Sequence, residues 1–168
     1  MKKYFILLVL LFPWFEAQAS SEQMPSVDNQ LYKEECSACH MAYQPGFLPA
    51  RSWEKLMSSL DDHFGENAEL DDDARKTITG YLTNNAADHS SAKLAKKFLK
   101  RISNDDMPLR ISKLNYFIKE HDEIKPHMVT DNPKVKSFSR CETCHRQADE
   151  GSYAEKEIDI PDFGKWED

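Results

Sequence analysis

The pattern C-x-x-C-H occurs twice in the chain, at residues 36–40 and 141–145. One helical turn brings two cysteines at this spacing to the same side, so both thiols can reach one edge of a porphyrin, and the next histidine can bind its iron. This is the attachment signature of c-type haem, and it predicts two covalent haems. The predicted ligands are the thiols and imidazoles of the two motifs: Cys36, Cys39, His40, Cys141, Cys144 and His145.

Paired C-x-x-C motifs also occur in zinc ribbons, in redox-active pairs and in disulfide-stabilised exported domains. A zinc ribbon separates its pairs by about 15 to 20 residues, whereas about 100 intervene here, and zinc gives no reason for a histidine after both pairs. No βαβ pattern of the thioredoxin kind surrounds either motif. The spacing therefore favours haem over the alternatives.

Each iron has a second axial position, and the remaining histidines are candidates for it. His63 continues the apolar face that includes Leu60, and His121 continues the one that includes Leu114. A histidine on an apolar face is ordinarily a core residue, but the nearby haem motifs favour ligation. We predict that His63 and His121 are the two distal ligands.

Two other histidines are weaker candidates. His89 lies in the polar turn ADHSS and His127 follows Pro126 in a loop, so we expect both to be exposed. His127 is the alternative to His121, because it lies nearer to the second motif in sequence. Met57 lies on an apolar helix face, where methionine is a routine core filler.

An arginine precedes each predicted distal histidine at a similar spacing. Arg51 comes before His63, and Arg110 comes before His121. Since guanidinium groups bind carboxylates in a bidentate manner, both arginines are candidate partners of haem propionates. An ordinary surface position is the equal alternative for each.

The elements that must position these ligands are predicted to be helices. The segment around His63 is expected to form one helix, with Ser52 as N-cap and an end near Gly65. A second helix, which ends before Pro126, is expected to carry His121 on its apolar face.

The whole chain is predicted to be mainly α, with short helices and loops packed around two covalent haems. Asp71 is expected to cap another helix, residues 91–103 to form a basic amphipathic helix, and Gly151 to end the helix of the second motif. No strand is predicted, and the tail SYAEKEIDIPDFGKWED is expected to be irregular. We divide the chain into haem-binding halves, 20–88 and 89–168.

Residues 1–19 have the pattern of a secretory signal peptide: lysines, an apolar run, and Ala17 and Ala19 at the cleavage site. The run is about a dozen residues long and contains Pro13, whereas a spanning helix needs about 20 apolar residues. We expect cleavage near Ala19, export to the periplasm, and no membrane span in the mature chain.

The 168-residue chain has a formal net charge of −7, which argues against nucleic acid as a partner. Basic residues cluster at 91–101, and acidic ones cluster in LDDDAR and in the tail. Separate patches of opposite charge suit transient docking, although solvated helix faces are the commoner explanation.

The chain resembles the dihaem cytochrome c family of bacterial periplasmic electron carriers, through the two attachment motifs and the stretches PGFLPARSW and HFGENA. The resemblance implies a mainly helical protein in two haem-bearing halves and bis-histidine ligation of both irons. It also implies electron exchange with other cytochromes, with a membrane b-type cytochrome as one candidate. By motif match His40 and His145 are proximal and His63 is distal, while the match to His121 is looser.

We therefore predict an electron carrier and not an enzyme. Two imidazoles keep an iron six-coordinate in both oxidation states, so little rearranges when an electron arrives. The alternative is a dihaem peroxidase or a gas-reactive haem protein, which needs one open iron site. A haem-based sensor is disfavoured because no output domain is evident.

Overall fold

The computed structural model describes residues 21–166, so the predicted signal segment 1–19 lies outside the described residues. The described chain is dominated by short helices, which confirms the predicted fold class. These are α1 (Gln30–Cys36), α2 (Ala50–Met57), α3 (Asp72–Asn84), α4 (Lys93–Leu99), α5 (Asn115–Glu120) and α6 (Cys141–Cys144). Short 3₁₀ turns lie at Pro45–Phe47, Leu60–Asp62, Ile111–Lys113, Pro126–Met128 and Glu155–Glu157. Within residues 21–166, no helix has both the length and the apolar character needed to cross a bilayer.

The longest helix, α3, begins where the sequence predicts. The side chain of Asp71 accepts a hydrogen bond from the backbone N–H of Ala74 at 2.9 Å and so satisfies a donor that the first helical turn leaves free. Ile78 and Leu82 are buried on the inner face of α3, which packs against α2. The predicted N-cap at Asp71 is confirmed.

The predicted helix from Ser52 to Gly65 is wrong at both ends. Helix α2 has Pro49 as its N-cap, and Ser52 is buried inside the helix. The helix ends at Met57, where the hydroxyl of Ser58 donates to a backbone carbonyl of the last turn and offers the chain an alternative to further helix.

His63 therefore lies in a turn and not in a helix. Its backbone pairs with that of Glu66, and the carboxylate of Asp62 accepts a hydrogen bond from the N–H of Gly65 at 3.0 Å. Phe64 and Gly65 have φ of 60° and 100°, values that do not occur in a right-handed helix.

The predicted helix that carries His121 is shorter than expected. Leu114 has ψ of 143°, an extended conformation that separates the 3₁₀ turn Ile111–Lys113 from α5. Helix α5 ends at Glu120, and His121 is its C-cap residue. The sequence thus predicted the helix near His121 but not the break before it.

The tail is ordered, contrary to the prediction. Strands β1 (Asp159–Ile160) and β2 (Gly164–Lys165) form an antiparallel hairpin in which Asp159 lies opposite Lys165. Ile158 makes a further bridge to His145, so the tail pairs with the second motif. Helix α6 ends at Cys144, and the expected helix as far as Gly151 is wrong.

Two clusters of buried side chains form the core. The larger cluster joins side chains from before and after the predicted boundary at 88/89, among them Leu48, Trp53, Ile78, Leu82, Leu94, Phe98, Leu114 and Phe117. The smaller cluster surrounds the second motif and contains Met128, Val129, Val135 and Ile160. The division into 20–88 and 89–168 stays a prediction, and the larger core extends across it.

Candidate haem sites

The first C-x-x-C-H histidine lies opposite the first predicted distal ligand. The ring centres of His40 and His63 are 6.1 Å apart, with 30° between the ring planes. Cys36 ends α1 and is half-buried, while Cys39 lies in the following turn and is exposed. The turn after Leu60–Asp62, rather than a helix, carries His63 to this position.

The second motif forms a similar pair. The ring centres of His121 and His145 are 6.0 Å apart, at 64°. His121 stacks on Phe117, whose ring centre lies 3.9 Å away at an interplanar angle of 10°. The C-cap position therefore holds this imidazole against α5 and directs it towards the second motif.

Both separations fit one metal ion between two imidazoles. A ring nitrogen lies about 2 Å from a metal that it binds and about 1 Å from its own ring centre, so imidazoles on opposite sides of one metal have centres about 6 Å apart. Both pairs match this value. The donor sets therefore fit a group that presents an iron with two opposite axial positions.

Hydrogen bonds orient one imidazole in each pair. Nδ1 of His40 lies 2.7 Å from the carbonyl oxygen of Met41, and Nδ1 of His121 lies 2.9 Å from that of Phe117. Since a carbonyl can only accept, each Nδ1 carries the proton and each Nε2 has a free lone pair for a metal.

The other imidazole in each pair makes no hydrogen bond through its Nδ1 atom within the described residues. Nδ1 of His63 and Nδ1 of His145 are buried and have no hydrogen-bond partner within the described part of the chain. Burial lowers the pKa of both, that of His145 to about 4, with the neighbouring histidine of each pair adding to the effect. Neutral imidazoles are the form that binds metals.

Within residues 21–166, the cysteines belong to no group of three or more His, Cys, Asp or Glu side chains that could hold a metal ion. All four thiols are free of disulfides. Burial raises the pKa of Cys141 to about 12 and that of Cys36 to about 11, and the adjacent carboxylates of Glu142 and Glu35 add to these shifts.

A cavity lies between the ligands of the second site. It has a volume of about 200 Å³ and is partly open to solvent. Its walls include both thiols and both imidazoles of this site: Cys141, Cys144, His121 and His145. Most of the exposed wall area is apolar, and Phe117, Val135 and Ile160 contribute to it. A mostly apolar cavity with a few polar groups suits a large flat cofactor.

The first site is more open. Cys39 is exposed, and 43% of the surface of Phe64, the residue after His63, is exposed. The guanidinium of Arg110 lies 3.9 Å from the ring centre of Phe64. Arg110 therefore lies beside the first site, although its sequence spacing associated it with His121.

Arg51 has a different environment. Its Nε and Nη2 atoms donate to the backbone carbonyls of Asp106 and Ser103, each at 2.7 Å. These bonds hold the 103–106 loop against the start of α2. The propionate roles of Arg51 and Arg110 stay predictions.

The other two histidines are exposed, as predicted. The ring of His127 packs on Phe163, with 5.4 Å between ring centres. Nδ1 of His89 donates to the carbonyl of Thr83 at 2.8 Å. The structure brings neither into the two pairs described above.

Aromatic residues that the sequence analysis did not identify surround both pairs. Tyr43 stacks on His40, with ring centres 4.8 Å apart at 19°, and Tyr153 lies 5.4 Å from His145. The spacing of Phe117 and His121, four residues apart on a helix, is a signal that could have revealed their contact. No local pattern relates Tyr153 to His145.

Comparisons with known proteins identify the family of the chain. The family model for dihaem cytochrome c matches residues 32–153. The diheme cytochrome c of Shewanella baltica OS155 is 40% identical, with a TM-score of 0.69, over 83% of this chain and 98% of its own. A diheme cytochrome c from Rhodobacter sphaeroides is 45% identical, with a TM-score of 0.70, over 77% and 100%.

Another structure, of DHC purified from Rhodobacter sphaeroides, is 42% identical, with a TM-score of 0.62, over 76% of this chain and 99% of its own. No curated protein matches the chain significantly. The family model covers most of the chain, and the solved relatives share both its sequence and its helical architecture. The chain therefore belongs to the dihaem cytochrome c family, which implies two covalently bound c-type haems.

Proposed function

We propose that the protein transfers electrons and that both of its irons have two histidine ligands. His40 and His63 would bind one iron, and His121 and His145 the other. The ring-centre separations of 6.1 and 6.0 Å are the observation that carries this proposal, because they leave room for one metal ion between each pair.

Haem iron supplies reversible one-electron chemistry, and the protein sets the conditions for it. The carbonyls of Met41 and Phe117 fix the tautomer of one imidazole in each pair and raise its basicity. The stack on Phe117 limits rotation of His121. Two fixed imidazoles change little between oxidation states and give a lower reduction potential than a histidine and a methionine would.

The second site has a largely apolar lining. Phe117, Val135 and Ile160 are buried, and they line the cavity that contains His121 and His145. Low polarity around a haem disfavours the more highly charged ferric state, so burial is a further control on the potential of this site.

A peroxidase or gas-reactive protein would need one iron with an open axial position. Here each motif histidine faces a second imidazole at about 6 Å, the separation expected for ligands on opposite sides of one metal. This arrangement favours electron transfer over catalysis at the iron.

Carbon monoxide distinguishes these functions. With histidine on both sides of each iron, the absorption spectrum of the fully reduced protein should not change when carbon monoxide is added. A shift of the Soret band in the reduced wild-type protein would contradict closed sites and favour the gas-reactive alternative.

We infer that the protein works in the periplasm and exchanges electrons with other cytochromes, among which a membrane b-type cytochrome is a candidate. The signal-peptide pattern at 1–19 and the c-type attachment motifs support export. A mixed surface with separate acidic and basic patches supports transient docking, and the net charge of −7 argues against nucleic acid.

Helix α4 is the proposed docking surface. Leu94 and Phe98 on its inner face line the cavity of the second site. Its outer face and C-terminal end carry exposed basic side chains: Lys93, Lys96, Lys100 and Arg101. A helix is about 10 Å across with its side chains, so a partner on this face would lie within about one helix diameter of the cavity.

We expect Lys96→Glu to slow the oxidation of the reduced protein by ferricyanide at low salt more than Lys76→Glu does. Both residues are exposed and both changes alter the net charge equally, but Lys76 lies on α3. The difference should vanish near 1 M salt, where the screening length is only about 3 Å. Equal rates for the two variants at low salt would contradict a docking role for α4 and would show that its charges serve only solubility.

A further inference from the structure

Tyr43 connects the two haem sites. Its ring stacks on His40 of the first site, with ring centres 4.8 Å apart and 19° between the planes. Its hydroxyl donates a hydrogen bond to the backbone carbonyl of Ser139. Only Arg140 separates Ser139 from Cys141, the first thiol of the second motif. One side chain thus contacts an axial imidazole of one site and the backbone that enters the other.

The next residue, Gln44, holds the opposite flank of the second motif. Gln44 is fully buried, and its Nε2 donates to the carbonyl of Ala148 at 2.6 Å. Its Oε1 accepts a hydrogen bond from the hydroxyl of Tyr153 at 2.5 Å. The backbone N–H of Ala148 in turn donates to the carbonyl of His145 at 3.0 Å. Residues 43 and 44 therefore hold the second motif on both sides.

We propose that Tyr43 couples the two haem sites electronically. The route runs from the imidazole of His40 through the stacked ring and the hydroxyl to the carbonyl of Ser139, and from there along the backbone to Cys141. An electron that takes this route oxidises one haem and reduces the other, and no bond is made or broken. The proposal rests on the electron-transfer function proposed above.

Tyr43 could instead serve packing alone, and the structure provides a way to separate the two roles. Tyr43→Phe keeps the ring that stacks on His40 but removes the hydrogen bond to Ser139. Gln44 and its two buried hydrogen bonds remain and keep the second motif in place. The variant thus removes the link to Ser139 and leaves the contacts of Gln44 with Ala148 and Tyr153 intact.

The test compares Tyr43→Phe with wild-type protein, both carrying two haems. In the half-reduced protein, ¹H exchange spectroscopy measures the rate at which the electron moves between the two haems. The EPR spectrum of the ferric protein reports the orientation of the axial imidazoles. We expect a severalfold slower exchange in Tyr43→Phe with an unchanged EPR spectrum. Tyr43→Leu, which also removes the ring, should in addition shift the EPR signal of one haem.

Tyr81→Phe is the matched control, because its hydroxyl bonds to the backbone N–H of Asp28, outside both motifs. It should leave the exchange rate unchanged. An exchange rate in Tyr43→Phe equal to that of wild type, with a native EPR spectrum, would overturn the proposal. Failure of the electron-transfer function itself would be recognised separately, by binding of carbon monoxide to the reduced wild-type protein.

Discussion

Replacing His121 by alanine is expected to open one of the two irons. The side chain faces His145 at 6.0 Å between ring centres and stacks on Phe117. With the proposed ligation, its removal would leave one axial position of the second haem without a protein ligand. We expect about half of the ferric haem to become high-spin, and the reduced variant to bind carbon monoxide at one site. Optical and EPR spectroscopy of the purified variant would measure both.

His63→Ala should have the same effect at the first site, because His63 faces His40 at 6.1 Å. His89→Ala and His127→Ala are the matched controls, since both residues are exposed and outside the two pairs. Should His127→Ala open an iron while His121→Ala leaves both closed, the assignment of the second distal ligand would be wrong.

Gly151→Ala is expected to destabilise the fold by about 2 to 5 kcal/mol. Gly151 has φ of +83°, which costs an L-residue about 1 to 2 kcal/mol, and crowding of a packed position adds about 1 to 3 kcal/mol. A Cβ at this position would lie 2.3 Å from the carbonyl oxygen of Met24, whose N–H donates to the carbonyl of Gly151. Denaturant unfolding of the haem-loaded protein would measure the loss.

Two other glycines separate these effects. Gly65 has φ of +100° but open space around its Cβ position, so Gly65→Ala should show only the conformational cost of about 1 to 2 kcal/mol. Gly80 lies inside α3 with open space and no positive φ, and Gly80→Ala should stabilise the protein by about 0.5 to 1 kcal/mol. A loss in Gly151→Ala no larger than that in Gly65→Ala would show that the contact with Met24 is unimportant.

The sequence by itself predicted the cofactor and the residues that would attach it, because the chemistry lies in five contiguous residues. Cys141, Cys144 and His145 are brought together by a single turn of helix, whatever the rest of the chain does. The same locality explains the correct N-cap at Asp71, whose carboxylate reaches the N–H of Ala74 within one turn. The helix-dominated fold class was predictable for the same reason, because the hydrogen bonds of a helix join residues that are close in sequence.

The tertiary structure decided how the ligands are presented. The periodicity of apolar residues predicted a helix that continues through His63. Periodicity carries no information on the hydroxyl of Ser58, which bonds to the backbone at the end of α2, or on the left-handed backbone of Phe64. His63 lies in a turn and faces His40. The packing of the surrounding core determines the position of this turn.

Contacts between distant residues followed no sequence signal at all. The spacing of Arg110 from His121 associated it with the second site, yet it packs on Phe64 beside the first. Tyr43 bonds to Ser139, and the tail pairs with His145. Such contacts exist only when the core has brought remote segments together, because their free energy depends on burial and geometry and not on separation along the chain.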